Sequence, residues 1–199
     1  MATGVEATQG LEAVVLAAGS GRRFGGGKLL APWGEGLLLH AALAAAFAAP
    51  VRGVTVVTGA DEAAVAAAAR GFDPRVRIVH AEGHAEGMGA SLRAAIASLP
   101  PDTEGAMVFL GDMPRVPHGV LQPLARALAT APAAAPVFAG RRGNPVALSR
   151  SLFPDLLDLS GDQGARAVLD ALGPRLTLIE ASDDGVLFDV DRPEDLAPA

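Results

Sequence analysis

The sequence predicts an α/β chain, a three-layer α/β/α fold around a mainly parallel, mixed sheet. Three observations carry this. Short apolar or β-branched runs alternate with alanine-rich helical stretches from residue 12 to residue 131, the pattern of a mainly parallel sheet covered on both faces. The first apolar run ends directly in glycines, as a buried strand ends in a loop. Finally, 199 residues that are 50% hydrophobic and 19% charged can build a core without disulfides, since a chain of this size buries roughly 70% of its unfolded surface.

The elements follow in order. Glu12 to Ala18 is the first strand. Gly36 to Ala49 reads as a helix stopped near Pro50, and Val54 to Thr58 as a β-branched second strand. Asp61 can cap a helix from Glu62 to Arg70. Arg75 to His80 is a third strand. Met88 to Leu99 is helical, with Met88, Leu92, Ala95, Ile96 and Leu99 on one face. Gly105 to Leu110 is a fourth strand and Val116 to Ala131 another helix. Beyond it, strands Ala134–Ala139 and Val146–Ser149 flank an Arg-Arg-Gly-Asn turn, Ser151–Leu159 and Gln163–Leu172 are helices, and Arg175–Glu180 and Val186–Val190 close the sheet.

Composition excludes several classes. A net charge of -6 disfavours a general nucleic-acid or anionic-membrane binder. The absence of cysteine removes disulfides, thiolate catalysis and iron–sulfur clusters. Residues 1–10 read as a flexible tail and 11–199 as a single domain, with 11–115 one half and 116–199 the other. The longest apolar run, Ala41 to Ala49, is far short of the about 18 residues a membrane helix needs. A cytoplasmic chain is expected. The histidines, His40, His80, His84 and His118, have no ligand spacing; His84, in the loop before the helix from Met88, is a candidate substrate contact that reads most simply as a solvated loop residue.

The segment Leu16-Ala17-Ala18-Gly19-Ser20-Gly21-Arg22-Arg23-Phe24-Gly25-Gly26-Gly27-Lys28 carries the chemistry. Free N–H groups in such a loop form an anion nest, and three cations add charge, so it describes a phosphate cradle. It is not a Walker A loop, because Arg22 and Leu29 stand where Gly and Ser or Thr are required. Nor is it a dinucleotide fingerprint, because Phe24 replaces the third glycine. Of the 16 basic residues, Lys28 alone is a lysine, a compact charge able to follow a moving phosphate.

Two acidic segments could complete a site. An apolar strand ends at Gly111-Asp112, where open α/β sheets bind ligands. Asp189 and Asp191 follow another apolar stretch and, in an extended strand, point the same way. Hard cations such as Mg²⁺ prefer such oxygens. Taken alone, Asp112 also suits a turn or helix cap, and Asp191 an N-cap before Pro193.

These segments resemble the GT-A-like nucleotidyltransferases, with a Rossmann-like nucleotide-diphospho-sugar transferase fold, over roughly residues 12–196. The resemblance places Arg23 on the family's loop arginine and Lys28 on its triphosphate-binding lysine. Arg22 and Phe24 depart from the residues common there. Gly-Asp-Met-Pro looks like the metal loop, with Asp112 as ligand, and Asp-Val-Asp-Arg-Pro-Glu-Asp like the family's C-terminal acidic motif. Asp191 is then the second ligand, with Asp189 as the fallback. Gly87-Met-Gly-Ala-Ser91 matches the segment beside the base, so Gly87 and Ser91 join Leu16 to Arg22, Lys28 and Asp112 as nucleotide-binding residues. Arg141-Arg142-Gly-Asn144-Pro-Val and Gly-Asp162-Gln-Gly-Ala-Arg166 resemble the acceptor half of molybdenum cofactor cytidylyltransferases and the related molybdopterin guanylyltransferases.

The resemblance implies a transferase moving CMP from CTP to the terminal phosphate of molybdopterin, with Mg²⁺ or Mn²⁺ and release of pyrophosphate. Lys28, Arg23 and Asp112 would carry catalysis, and Arg142, Asn144, Asp162 and Arg166 would bind the acceptor. Leu-Ala-Ala-Gly leans towards CTP, with GTP or another phosphorylated acceptor as the alternative. A non-catalytic cofactor-delivery protein is the alternative of another class. A monomer in transient contact with a molybdoenzyme is expected.

Overall fold

The computed structural model describes residues 10–161 and 164–196. The flexible-tail expectation for residues 1–9 lies outside them, whereas the Gly10 carbonyl accepts a bond from the Glu104 N–H at 2.7 Å. No helix is long and apolar enough to cross a membrane among the described residues.

The strands are β1 (Leu11–Ala17), β2 (Pro32–Trp33), β3 (Gly36–Leu37), β4 (Val54–Thr58), β5 (Arg77–His80), β6 (Gly105–Leu110), β7 (Ala133–Phe138), β8 (Arg141–Arg142), β9 (Val146–Ser149) and β10 (Leu176–Glu180). The helices are α1 (Leu38–Ala48), α2 (Glu62–Phe72), α3 (Met88–Ala97), α4 (Leu121–Ala127), α5 (Phe153–Leu157) and α6 (Arg166–Leu172). The main sheet runs β10-β7-β9-β6-β1-β4-β5, with β8 paired to β7. β1 is parallel to β4 and β6, β4 to β5, and β10 to β7, while β9 is antiparallel to both neighbours. This is the expected mixed, mainly parallel sheet.

Alternation along the strands builds two cores. Leu11, Ala13, Val15 and Ala17 of β1 face α1, α2 and α4, packed with Leu43, Val65 and Leu124. Val14 and Ala18 face the other way, packed with Leu92, Leu156 and Leu169 of α3, α5 and α6. A strand buried on both faces has to be apolar at nearly every position. Glu12 is the exception: only 2% exposed, its carboxylate pairs with Arg77 and, at 3.3 Å, with Arg52.

Several boundaries move for physical reasons. The first helix starts at Leu38 rather than Gly36, because Gly36 and Leu37 pair with Trp33 and Pro32 in a short hairpin. Asp61 occupies the N-cap of α2, but its carboxylate makes no capping bond. The stretch predicted as a helix from Val116 opens with Pro117 extended, makes a 3-10 turn over His118–Val120, and becomes α-helical only at Leu121. Pro123 is tolerated there because its missing N–H lies in the first turn. The start of the helix predicted from Gln163 lies outside the described residues; α6 begins at Arg166, after Gly164 at φ +52°.

The largest departure is Val186 to Val190, which is not a strand. A 3-10 turn spans Asp184–Val186, and the residues after it cross the end of the sheet without joining a ladder. The run Val186-Leu187-Phe188-Asp189-Val190 is mostly apolar, which is why the segment reads as a strand in sequence, and Val186 and Val190 are fully buried. Its backbone groups instead bond to loops: the Asn144 N–H donates to Val186 O at 2.9 Å, and the Val190 N–H donates to Asp112 O at 3.0 Å.

Candidate active site

The topology fixes where a site can form. From β1 the chain builds outward through β4 to β5, then returns to β6 on the other side of β1. Strand order reverses there, and open sheets bind ligands in such a crevice beyond the carboxyl ends of the strands. The loops after β1 and β6 carry the glycine-rich segment and Asp112.

Between β1 and the 3-10 turn Lys28–Leu30 the loop folds on itself, with the Phe24 and Gly26 N–H groups both donating to Gly21 O. Gly25, Gly26 and Gly27 all have positive φ, 96°, 95° and 64°. Three consecutive left-handed residues are practical only for glycine, which explains the run. The turn delivers Lys28 back to the strand ends. Its side chain is 13% exposed and its Nζ donates to Asp112 Oδ2 at 2.7 Å.

A cleft of about 610 Å³ lies over this pair. Leu16, Ala18, Gly19, Ser20, Gly21, Arg22, Arg23 and Lys28 line it from the first loop, Gly87 and Ser91 from the start of α3, and Asp112 and Asp191 from the acidic segments. Ala17, expected beside the nucleotide, does not line the cleft; it is 3% exposed and its side chain belongs to the α1 core. His84, weighed in the sequence as a contact but read there as a solvated loop residue, lines it, as do Met88 and Leu110, which the sequence did not single out as contacts. Met88, expected on the buried face of its helix, is 41% exposed because it stands at the first helical position, over the cleft.

The C-terminal acids meet different partners. Asp191 accepts from Arg23 at 2.8 Å, and this hydrogen bond, then the arginine charge, holds its carboxyl below the ordinary value and raises the guanidinium. The Asp189 carboxyl is pushed above its ordinary value, first by lost hydration and then by the neighbouring Asp112 carboxylate. The turn at Pro193 is capped not by Asp191 but by Asp195, whose carboxylate accepts from the Asp191 and Arg192 N–H groups at 2.9 and 2.8 Å and is thereby held low.

Can these acids suit a divalent ion? Among the described residues no three His, Cys, Asp or Glu side chains converge into a cage. Magnesium-type ions take one or two protein carboxylates, with phosphate oxygens and water completing the shell. Two carboxylates bordering a cationic cleft fit that kind of ion.

A second cleft, of about 630 Å³, shares Met88 and Leu110 with the first. Arg141, Arg142, Asn144 and Arg166 line it. Asp162 lies outside the described residues. Asp170, not foreseen in the sequence, draws the cations together: Arg142 donates to it at 2.6 Å, and Arg166 lies 3.8 Å from its other oxygen.

Known proteins match this arrangement along nearly the whole chain. Purine catabolism protein PucB of Bacillus subtilis is 31% identical, covering 92% of each chain. Molybdenum cofactor cytidylyltransferase of Escherichia coli is 24% identical over 95% of each. Nicotine blue oxidoreductase of Paenarthrobacter nicotinovorans is 30% identical over 92% of this chain and 93% of its own. Among solved structures, Rv0371c of Mycobacterium tuberculosis superposes with a TM-score of 0.82 at 31% identity, covering 95% of this chain and 96% of that one. Rv0371c in complex with manganese superposes at 0.72 and 27% identity, over 86% and 87%. The family model of the MobA-like NTP transferase domain matches residues 13–176, and the chain belongs to that family.

Proposed function

We propose that this chain is a divalent-metal-dependent cytidylyltransferase that moves CMP from CTP to the terminal phosphate of molybdopterin. One observation carries the reading. A glycine-rich loop sets Lys28 2.7 Å from Asp112 in a cleft that adjoins a second, arginine-lined cleft. Two substrates that are both anionic would meet at the shared wall of Met88 and Leu110.

An acceptor phosphate oxygen attacks the α-phosphorus of CTP, the bond to the β-phosphate breaks, and pyrophosphate leaves. A phosphate nucleophile is already ionised near neutral pH, so no side chain has to take its proton. Lys28, Arg23 and the loop N–H groups hold the β- and γ-phosphates and stabilise the charge that develops on the leaving group. Gly87 and Ser91 border the base and ribose. Arg142, Asn144 and Arg166 orient the acceptor, and holding two reactants in line supplies much of the rate. Asp112 and Asp191, with Asp189 adjacent, would hold Mg²⁺ or Mn²⁺, which offsets charge on the α-phosphate when bound.

Pyrophosphate release with CTP, GTP, ATP and UTP, each with Mg²⁺ and molybdenum-loaded molybdopterin, tests this. Release with CTP alone is expected. Release with GTP alone moves the base assignment to a guanylyltransferase. Silence from folded protein with every nucleotide, alongside retained molybdopterin binding, replaces catalysis with cofactor delivery.

A further inference from the structure

The segment from Gly185 to Val190 lies between Asn144, which lines the second cleft, and Asp112, which lines the first, and three independent observations describe how it is held. Its backbone bonds to the acceptor loop at one end, through Asn144 N–H and Val186 O at 2.9 Å. At the other end the Val190 N–H donates to Asp112 O at 3.0 Å. The approach at the Gly185–Val186 end is too close for side chains: a β-carbon on Gly185 would overlap the Arg115 carbonyl oxygen, and one on Gly143 the Val186 carbonyl oxygen.

The third observation is Arg115 itself. Its guanidinium carbon lies 4.0 Å from the centroid of the Phe188 ring and 5.7 Å from that of Trp33. The two rings are 6.2 Å apart. Among the described residues Arg115 forms no ion pair, so its charge is directed at aromatic faces and at no carboxylate. A guanidinium over a ring is attracted to it electrostatically, and its flat shape stacks as an ammonium cannot. Phe188 immediately precedes Asp189, and Arg115 comes three residues after Asp112 in the chain. The stack therefore joins the two acidic segments where neither has regular secondary structure to fix it.

We infer that residues 185–190 form a strut between the acceptor loop and the Asp112 loop, and that Arg115, stacked on Phe188 beside Trp33, is the positioning residue that holds Asp189 and Asp191 against Asp112 for a divalent cation. The inference rests on the nucleotidyltransferase reading of the cleft. Arg115 touches no substrate; it acts through Phe188. Trp33 is the only tryptophan in the chain, so its emission reports the clamp directly.

The test compares the full chain with its Arg115→Met, Arg115→Lys and Phe188→Leu variants. Mn²⁺ binding is read by electron paramagnetic resonance, with and without CTP, and CTP binding is measured separately in EDTA. Arg115→Met is expected to change Trp33 emission and to weaken Mn²⁺ binding at least fivefold, while CTP binding in EDTA stays within about twofold. Arg115→Lys, which keeps a cation at the ring, is expected to recover most of that loss. Phe188→Leu removes the ring from the other side and is expected to behave as Arg115→Met does, so it decides the matter if Arg115→Met fails to fold. A folded variant that melts lower yet binds Mn²⁺ as the wild type does overturns the inference, because a merely structural clamp would do only that. Wild-type protein that takes up no Mn²⁺ also overturns it. Wild-type protein that binds Mn²⁺ but releases no pyrophosphate overturns the catalytic reading instead, and the Mn²⁺ comparison between variants still decides the strut.

Discussion

Lys28 Nζ and Asp112 Oδ2 lie 2.7 Å apart, joining residues 84 positions distant at the carboxyl ends of neighbouring parallel strands. The cation proposed to hold phosphate and the carboxylate proposed to hold metal thus neutralise each other before either ligand arrives. Arg23 and Asp191 repeat the relationship at 2.8 Å. On the proposed reading, substrate entry would be an exchange of partners: the triphosphate would take the cations and the metal the acids.

Lys28→Ala is expected to lower kcat/KM more than tenfold, above roughly 1.4 kcal/mol of transition-state stabilisation. Lys28→Arg is expected to recover only part, because a planar fork does not replace a compact ammonium in a tight loop. Steady-state pyrophosphate release from folded variants measures both, and an unchanged rate removes Lys28 from the mechanism.

Asp112→Asn has effects of opposite sign on two readouts. With its partner neutral, Lys28 no longer has to leave a carboxylate to meet phosphate, so CTP binding in EDTA is expected to tighten severalfold. Turnover with metal is expected to fall at least 100-fold. Calorimetric titration in EDTA beside a turnover assay separates the two effects, and weaker metal-free binding contradicts the exchange.

The sheet, the glycine-rich loop and the place of the Gly-Asp pair at a strand end were legible because local chemistry dictates each. Apolar runs that stop at glycines make buried strands and loops whatever the rest of the chain does. Partner choice is not local: nothing near Arg23 in sequence marks Asp191, 168 positions away, as its acid. Val186 to Val190 misled because a short apolar run with β-branched and aromatic residues is a strand's signature, yet here the hydrogen bonds run to loops on both sides. Met88 misled because helical periodicity says nothing about which end of a helix overhangs a cleft. Glu12 gave no signal of its burial, since its arginines come from other strands and loops.

Arg77→Met tests that buried carboxylate. Glu12 would keep only Arg52, at 3.3 Å, inside an otherwise apolar strand. Removing a charged hydrogen-bond partner of a buried group costs about 1.5–3 kcal/mol. A urea melt should show a loss of that order with an unchanged slope. The network lies at the opposite end of the sheet from the cleft, so kcat and KM are expected to hold.

Asp170 tests the second cleft. Its carboxylate gathers Arg142 at 2.6 Å and Arg166 at 3.8 Å. Arg142→Ala is expected to raise the acceptor KM at least fivefold and leave the CTP KM within twofold. Asp170→Asn releases both guanidiniums and is expected to shift the same constant in the same direction by less. A change confined to the CTP constant would move these residues out of the acceptor site.

The C-terminal acids should titrate apart. Arg23 holds the Asp191 carboxyl below its ordinary 3.8, whereas lost hydration and Asp112 push Asp189 above 3.8. The consequences for stability have opposite signs. Asp191 binds protons less readily folded than unfolded, so its contribution is present above 3.8 and lost as pH falls through its depressed folded value. Asp189 binds them more readily folded, so it favours the fold below 3.8 and loses that contribution as pH rises through its raised folded value. Carboxyl ¹³C NMR titration should place the two midpoints on either side of 3.8. Arg23→Ala should move Asp191 up with little effect on Asp189, and Asp112→Asn should move Asp189 down. Coincident midpoints in the wild type would mean that the two acids do not occupy the distinct surroundings that Arg23 and Asp112 create.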